Sequence, residues 1–343
     1  MARLGFVSGN NRLRRSIGWL LICVIGLSGC AGSPSVLNPQ SPTADRVAQL
    51  SWVLFAIAAI VFVIVIALLI LGIVRARRIE PHAGELVTRT DDRRVISIVL
   101  LAGAVAPAVI LFGVMTWSIT ITNAAAARDT PLVIEVTGHQ WWWQINYPHE
   151  NFVTANEIHI PVGQPVTLKL MSADVNHSFW VPELSPKLDL IPGQTNTLNL
   201  EADQAGTYRG QCAEYCGIQH AHMAFLVVAD APDTYARWVT QEQQPATTPS
   251  SDAVREGEQT FIQSACVYCH TVRGTSAAGT LGPDLTHLAS RQMIGAGVLA
   301  NTPGNLAGWI VNSQAIKPGN LMPAMELDPK QLQAILAYLQ SLE

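Results

Sequence analysis

Hydrophobic and polar positions divide the chain into three regimes. Before Arg128 the apolar residues gather in three long runs. From Pro131 to about Val228 they form short alternating stretches, and beyond Asp252 they recur at helical spacing. The first run, "SIGWLLICVIGLSGC", follows Arg3, Arg12, Arg14 and Arg15. A basic segment and a short apolar stretch make a secretory signal, too short for a membrane span. Its end, "LSGC", is similar to a bacterial lipobox. Residues 1–30 are therefore predicted to be a lipoprotein-type signal, with Cys30 the lipidated first residue after cleavage.

The second and third runs predict a transmembrane hairpin over 45–122, with helices at about 50–74 and 95–121. Leu50 to Val74 carries no charge, and at ~1.5 Å per residue it exceeds the ~30 Å hydrocarbon core. Pro107 interrupts the other run, which a membrane helix accommodates as a kink. Arg75, Arg77, Arg78, Arg89, Arg93 and Arg94 lie between the two. The positive-inside rule puts that turn in the cytoplasm and everything after Arg128 on the opposite side, in agreement with the export signal.

Stretches such as "LVIEVTGHQWWWQINY" and "EIHIPVGQPVTLKLM", broken by Pro, Gly and Asn, predict an antiparallel β-sandwich over 129–239. "PDTYARWV" reads as its closing helix. The polar, proline-bearing stretch 240–252 reads as a linker. Residues 253–343 open and close on helical patterns, the last begun by Asp328 as N-cap and Pro329 in the first turn. The whole is a multidomain membrane protein: hairpin, all-β sandwich and all-α C-terminal domain.

Composition sharpens this picture. Of 343 residues 49% are hydrophobic and 13% charged, with a net charge of −4. From Arg128 onward ten basic residues face twenty acidic ones, a net of −10. An acidic surface disfavours nucleic acid and suits a basic protein partner. Four of the six cysteines form two close pairs, a pattern of cofactor chemistry more than of a disulfide framework.

The first pair lies in "QCAEYCGIQHAHM". A Cys212–Cys216 disulfide is possible outside the cytoplasm. Zinc gives Met223 no role, and a blue-copper site leaves one cysteine spare. A two-copper centre bridged by both thiolates employs Cys212, Cys216, His220 and Met223 together. Its second histidine must come from elsewhere, and His177 in "ADVNHSFWVPEL" is the best candidate. The second pair lies in "CVYCH", the C-x-x-C-H attachment signature of c-type haem, with Cys266 and Cys269 as thioethers and His270 on the iron. Met322 and Met325 are both available as the sixth ligand. In "HQWWWQ", strand alternation puts Trp141 and Trp143 on one face and Trp142 on the other.

"CAEYCGIQHAHM", "GHQWWWQINYP" and "DVNHSFWVPELSPKLDLIPGQ", together with the hairpin, resemble the second subunit of cytochrome c oxidases over about residues 45–230. The resemblance implies a cupredoxin-like sandwich holding binuclear copper (CuA) on His177, Cys212, Cys216, His220 and Met223. It also implies a backbone carbonyl from Glu214, whose carboxylate faces a magnesium site shared with subunit I. Trp141 becomes an exposed tryptophan through which electrons enter, and His222 matches no ligand. "LGPDL" and "KPGNLMP" resemble class I cytochromes c. They select Met322 as axial ligand and Pro283 as hydrogen-bond acceptor for His270, leaving Met293 and Met325 as packing residues.

The implied protein is an electron-transfer subunit of a respiratory terminal oxidase in the bacterial inner membrane, its copper and haem domains extracytoplasmic. Expected partners are oxidase subunits I and III, with a cytochrome c or another quinol-oxidising complex as donor. A copper subunit of a nitric oxide reductase and a membrane-anchored carrier without an oxidase are the alternatives. One departure is that no acidic residue lies between Val95 and Ala127, where the family usually has a glutamate linked to proton uptake.

Overall fold

The computed structural model describes residues 34–78, 93–125 and 130–343. Cys30 and most of the arginine-rich turn lie outside the described residues. Helix α1 spans Pro42–Arg78. Helix α2 runs through Arg93–Leu100, Leu101–Val105 and Ala106–Ala125. Both are long and apolar enough to cross a membrane, and their apolar windows have no protein cover.

At 1.5 Å per residue α1 reaches about 55 Å, well beyond a bilayer core. The surplus at its start serves as an attachment: Ala44 and Ala48 are buried, and Ser41 Oγ donates to the Leu184 carbonyl at 2.5 Å. Just before it, Gln40 N donates to the Glu183 carbonyl (2.8 Å) and accepts from Asp203 N through its own carbonyl (2.9 Å). In α2 the turn Leu101–Val105 is π-helical. Pro107 lacks an N–H and its ring crowds the Gly103 carbonyl, so the expected kink takes the form of a widened turn.

Ten strands follow: β1 Val133–His139, β2 Trp142–Tyr147, β3 Phe152–Ala155, β4 Glu157–Pro161, β5 Val166–Ser172, β6 His177–Trp180, β7 Leu188–Leu190, β8 Asn196–Leu200, β9 Gly206–Cys212 and β10 Ala224–Asp230. They form two sheets, β3-β2-β1-β5-β8 and β4-β10-β9-β6-β7, around one apolar core that includes Trp143, Phe179 and Phe225. The sandwich is mixed, not purely antiparallel as the alternation suggested, because β1 pairs parallel with β5 and β4 parallel with β10. Alternation reports which face is buried, and it is blind to strand direction.

Asn156 makes the corner where the chain leaves one sheet for the other. At φ 62° it sits in a region that Asn tolerates better than most residues. Its side chain accepts from Trp143 N (2.9 Å), while its own N–H and carbonyl bond Trp143 O and Leu226 N at 3.0 Å.

Helix α3, Pro232–Glu242, closes the sandwich. The connection after it bonds to both the sandwich and the C-terminal unit. Gln243 Nε2 donates to the Glu150 carbonyl, and Ala246 N donates to the Arg273 carbonyl. The C-terminal unit contains α4 Asp252–Gln263, a two-stranded ribbon of β11 Met293–Ile294 and β12 Leu299–Ala300, α5 Pro303–Ile316 and α6 Pro329–Leu339. Asp328 caps α6, as the sequence predicted, and Gln331 completes a full capping box with it.

This unit rests directly on the sandwich. Glu157 Oε1 accepts from Gln292 N (2.6 Å) and Met293 N (3.2 Å). Arg291 Nη2 donates to Thr154 Oγ1, and Ala224 N to the Ala296 carbonyl at 2.9 Å.

The α4–α6 crossing depends on Gly257, where a Cβ would overlap the Ala334 carbonyl oxygen. Gly257→Ala therefore forces the helices apart at a cost of about 1–3 kcal/mol, as overpacking does. A fall of roughly 5 °C or more in the melting midpoint of this unit is expected, followed by circular dichroism of the purified chain.

Candidate metal centres

The first site is built by the return from β9 to β10. Cys212 ends β9 and Ala224 begins β10, and Cys212 N donates to the Met223 carbonyl at 2.8 Å, closing the loop at its base. Within it, Gly217 at φ 117° lets the backbone pass against Trp141, whose Cζ2 would lie 2.9 Å from a Cβ there. β6 runs beside β9, with Phe179 opposite Cys212, and so delivers His177 to the same place.

The donor atoms converge. Cys212 Sγ lies 3.7 Å from Cys216 Sγ, 3.9 Å from His177 Nδ1 and 3.2 Å from the Glu214 carbonyl oxygen. Cys216 Sγ lies 3.6 Å from His220 Nδ1 and 3.8 Å from Met223 Sδ. Both cysteines are free, well beyond the ~2.05 Å of a disulfide. They are 5% and 2% exposed, with Met223 at 1% and His177 at 0%.

The pair draws charge onto itself. The hydrogen bond from Cys216 holds the Cys212 thiol well below the ordinary thiol range despite burial, helped by His177 and backbone N–H groups. The same bond and burial push Cys216 up. Burial lowers the pKa of His177, but its bonds to Cys212 and Asp174 outweigh this and leave it raised.

Asp174 is a partner that the sequence reading did not single out. Its Oδ1 meets His177 Nε2 at 2.7 Å, which leaves Nδ1 to face the sulfurs. Its Oδ2 accepts from Gln140 N at 2.7 Å, so one carboxylate ties the tryptophan strand to the histidine. A carboxylate three residues before a ligand histidine was the available signal.

His222 bonds Gln219 Oε1 through Nδ1 at 2.7 Å. The Glu214 carboxylate lies 3.5 Å from Lys187 Nζ. Two cysteine sulfurs, two imidazoles, a thioether and a carbonyl, converging and for the most part buried, fit copper: soft donors surround the centre, and no disulfide competes.

The second site follows α4. The "CVYCH" motif begins on a 3₁₀ turn, Ala265–Tyr268, that Ser264 opens and Cys269 closes, with His270 just beyond it. His270 Nδ1 bonds the Pro283 carbonyl at 2.8 Å, which orients the ring and leaves Nε2 free. Burial lowers the His270 pKa against that bond and favours the neutral, ligating imidazole. Gly282 lets its loop approach the ring, since a Cβ would stand 2.8 Å from His270 Cε1.

In the loop after α5 the Met322 backbone is fixed on both sides. Its N donates to Asn320 Oδ1 (2.8 Å), and its carbonyl accepts from Ser313 Oγ (2.6 Å) and Gln314 Nε2 (2.8 Å). Met325 and Trp309 pack on the core, and Tyr338 lies in it; Met293 belongs to β11. Two unbridged cysteines, an oriented neutral histidine and a held methionine loop fit haem.

Trp141 and Trp143 share the buried side, and Trp142 stacks on His139 with ring centroids 4.4 Å apart. Trp141, however, is only 8% exposed and is not the surface residue that the resemblance implied. The C-terminal unit covers it, and its Nε1 donates to the Cys216 carbonyl at 2.9 Å.

The family model for the periplasmic domain of cytochrome c oxidase subunit II matches residues 150–230, and that for cytochrome c matches residues 254–343. All six candidate copper donors fall in the first span and all four haem residues in the second. Among curated relatives, the cytochrome c oxidase subunit 2 of Alkalihalophilus pseudofirmus is 35% identical over 327 residues, covering 92% of this chain and 94% of its own. That of Bacillus subtilis is 29% identical over 350 residues, covering 95% and 98%. The quinol oxidase subunit 2 of Bacillus anthracis is 29% identical over 242 residues, covering 69% and 82%.

Removing the carboxylate behind a ligand histidine weakens metal binding by about 10–100-fold. Asp174→Asn is accordingly expected to lose copper to a chelator at a concentration the parent protein resists, read as copper per chain. His222→Ala, whose ring faces Gln219, should keep its full copper content in the same assay.

Proposed function

The chain belongs to the cytochrome c oxidase subunit 2 family, and from that premise we propose that it is the electron-transfer subunit of a respiratory terminal oxidase. Electrons from a cytochrome c, or from another quinol-oxidising complex, pass by way of a covalently held haem c and binuclear copper to haem in subunit I. There oxygen is reduced to water. Subunits I and III are the membrane partners, and the copper and haem units face away from the cytoplasm.

The observation that carries the reading is the presence of both donor sets in one chain, on two units that contact each other directly. Copper and iron supply one-electron chemistry when bound; the chain supplies what makes it fast. Buried ligands exclude water, and ligands locked by outer hydrogen bonds move little when charge changes. The Cys212–Met223 backbone bond and the Asp174–His177 pair do this for copper, and the Pro283–His270 bond does it for haem. The Glu214 carboxylate is proposed to reach magnesium at the subunit I interface, with Lys187 as its present neighbour. Cys30 is proposed to carry lipid.

In the purified complex the reduced-minus-oxidised spectrum should show a c-type α band. The oxidised complex should give an EPR signal shared between two copper nuclei, and reduced cytochrome c should drive oxygen uptake. A signal from a single copper nucleus, or absence of haem a and of oxygen uptake, would refute the reading. Met322→His should retain covalent haem but lower its potential, since methionine ligation raises it; a redox titration at the α band checks this.

A further inference from the structure

Lys317 is the least expected residue at the contact between the two units. It ends α5 as its C-cap, opens the loop that leads to Met322, and is 2% exposed. Its Nζ donates to the Trp141 carbonyl at 2.7 Å and to the Gly295 carbonyl at 2.9 Å. Burial brings its pKa down to about 7, with the nearby Cys216 pulling it back up. A lysine is a costly way to hold two surfaces together, because burying an ammonium costs several kcal/mol by order of magnitude. The surfaces are already held elsewhere by Glu157, Arg291 and Ala224.

Its position is what sets Lys317 apart. Gly319, at φ 82°, brings the same loop onto the copper loop: a Cβ there would lie 2.7 Å from Ile218 Cδ1 and 3.8 Å from the far edge of the Trp141 ring. Gln219, beside His220, donates from Nε2 to the Pro318 carbonyl at 2.7 Å. Hydrogen bonds, linked through the covalent bonds of Asn320, Lys317 and Trp141, then connect the two sides of the contact. Met322 N donates to Asn320 Oδ1 (2.8 Å), and Asn320 Nδ2 donates to the Lys317 carbonyl (2.7 Å). Lys317 Nζ reaches the Trp141 carbonyl, and Trp141 Nε1 reaches the Cys216 carbonyl. Electronic coupling decays less along bonds and hydrogen bonds than across open gaps.

We propose that Lys317 is a positioning residue for electron transfer inside the chain, clamping the Met322 loop onto Trp141 so that the tryptophan bridges the haem unit to Cys216 and is not a landing site for a separate protein. This rests on the copper and haem assignments above.

The test uses the intact oxidase complex with both centres loaded. Haem c is reduced by a light-driven reductant, and its reoxidation is followed at the α band together with copper reduction in the near infrared. Lys317→Met, which releases the Met322 loop from Trp141, is expected to slow this step by clearly more than the factor of about two allowed for an independent site. Optical and EPR spectra of both centres should stay unchanged. Trp141→Phe, which deletes the bond to Cys216, should slow the same step, and the double variant should be no slower than the worse single one.

Thr154→Val loosens the contact away from Trp141 and should leave the rate within a factor of about two, the variation expected of an independent site. Should Lys317→Met not accumulate, Gln219→Ala, which frees Pro318 without exposing a buried charge, must slow the step instead. An unchanged rate in Lys317→Met or Gln219→Ala, equal slowing in Thr154→Val, or additivity with Trp141→Phe overturns the proposal. A parent complex lacking either the haem or the copper signal removes its premise, a failure that the spectra distinguish from the kinetic one.

Discussion

Two buried thiols held close without bonding are the constraint on which the rest of the sandwich depends. At 3.7 Å Cys212 and Cys216 are too far apart for a disulfide and too close to ionise independently. Keeping them there takes a strand end, a backbone bond from Cys212 to Met223, and a glycine that lets the loop turn under Trp141. The pair also determines what surrounds it. A site that collects negative charge in a dry interior needs donors aimed at it. His177 supplies one through the strand beside Cys212, and the β-sandwich provides the rigid neighbour that keeps it in place.

The haem-type unit obeys a different rule. Its motif begins on a short 3₁₀ turn, and its methionine stands in a loop with little regular structure, so precision comes from side chains bonding the backbone. Ser313 and Gln314 hold the Met322 carbonyl and Asn320 holds its N–H, while Pro283 orients His270. One site is thus positioned by sheet register and the other by capping and loop hydrogen bonds. Both reach the same condition, in which the backbone that carries the candidate ligands has few alternative places to go.

Sequence pattern shows the chemistry of these sites better than their setting. The spacing of Cys212, Cys216, His220 and Met223 and the "CVYCH" motif are local, so the residues that matter stand next to one another. The membrane runs and the Asp328 cap are local too. What stayed hidden is long-range. Parallel pairing of β1 with β5 cannot be read from alternation, which is the same for either direction. The burial of Trp141 depends on a unit that begins more than a hundred residues later in the chain. Glu157, Gln219 and Lys317 look like ordinary polar residues until the fold brings them to one contact. Asp174 was within reach, since it stands three residues before His177 and has the right charge.

The character of that contact follows from its being made within one chain. Separate proteins must offset the loss of translational and rotational freedom on binding, which favours apolar anchors at the centre of their interfaces. Here residues 243–251 already hold the partners together, so the effective concentration of one unit at the other is high from the start. The contact can then be built from carbonyls, a carboxylate, a guanidinium, an amide and an ammonium, groups that add little net affinity but tolerate few orientations. Glu157 accepts two consecutive N–H groups, and Lys317 needs two carbonyls from different units; a shifted docking would leave these buried groups unpaired. Polar contacts of this kind select one arrangement over its neighbours, and a shift of even one residue would take the Met322 loop off the tryptophan that touches Cys216.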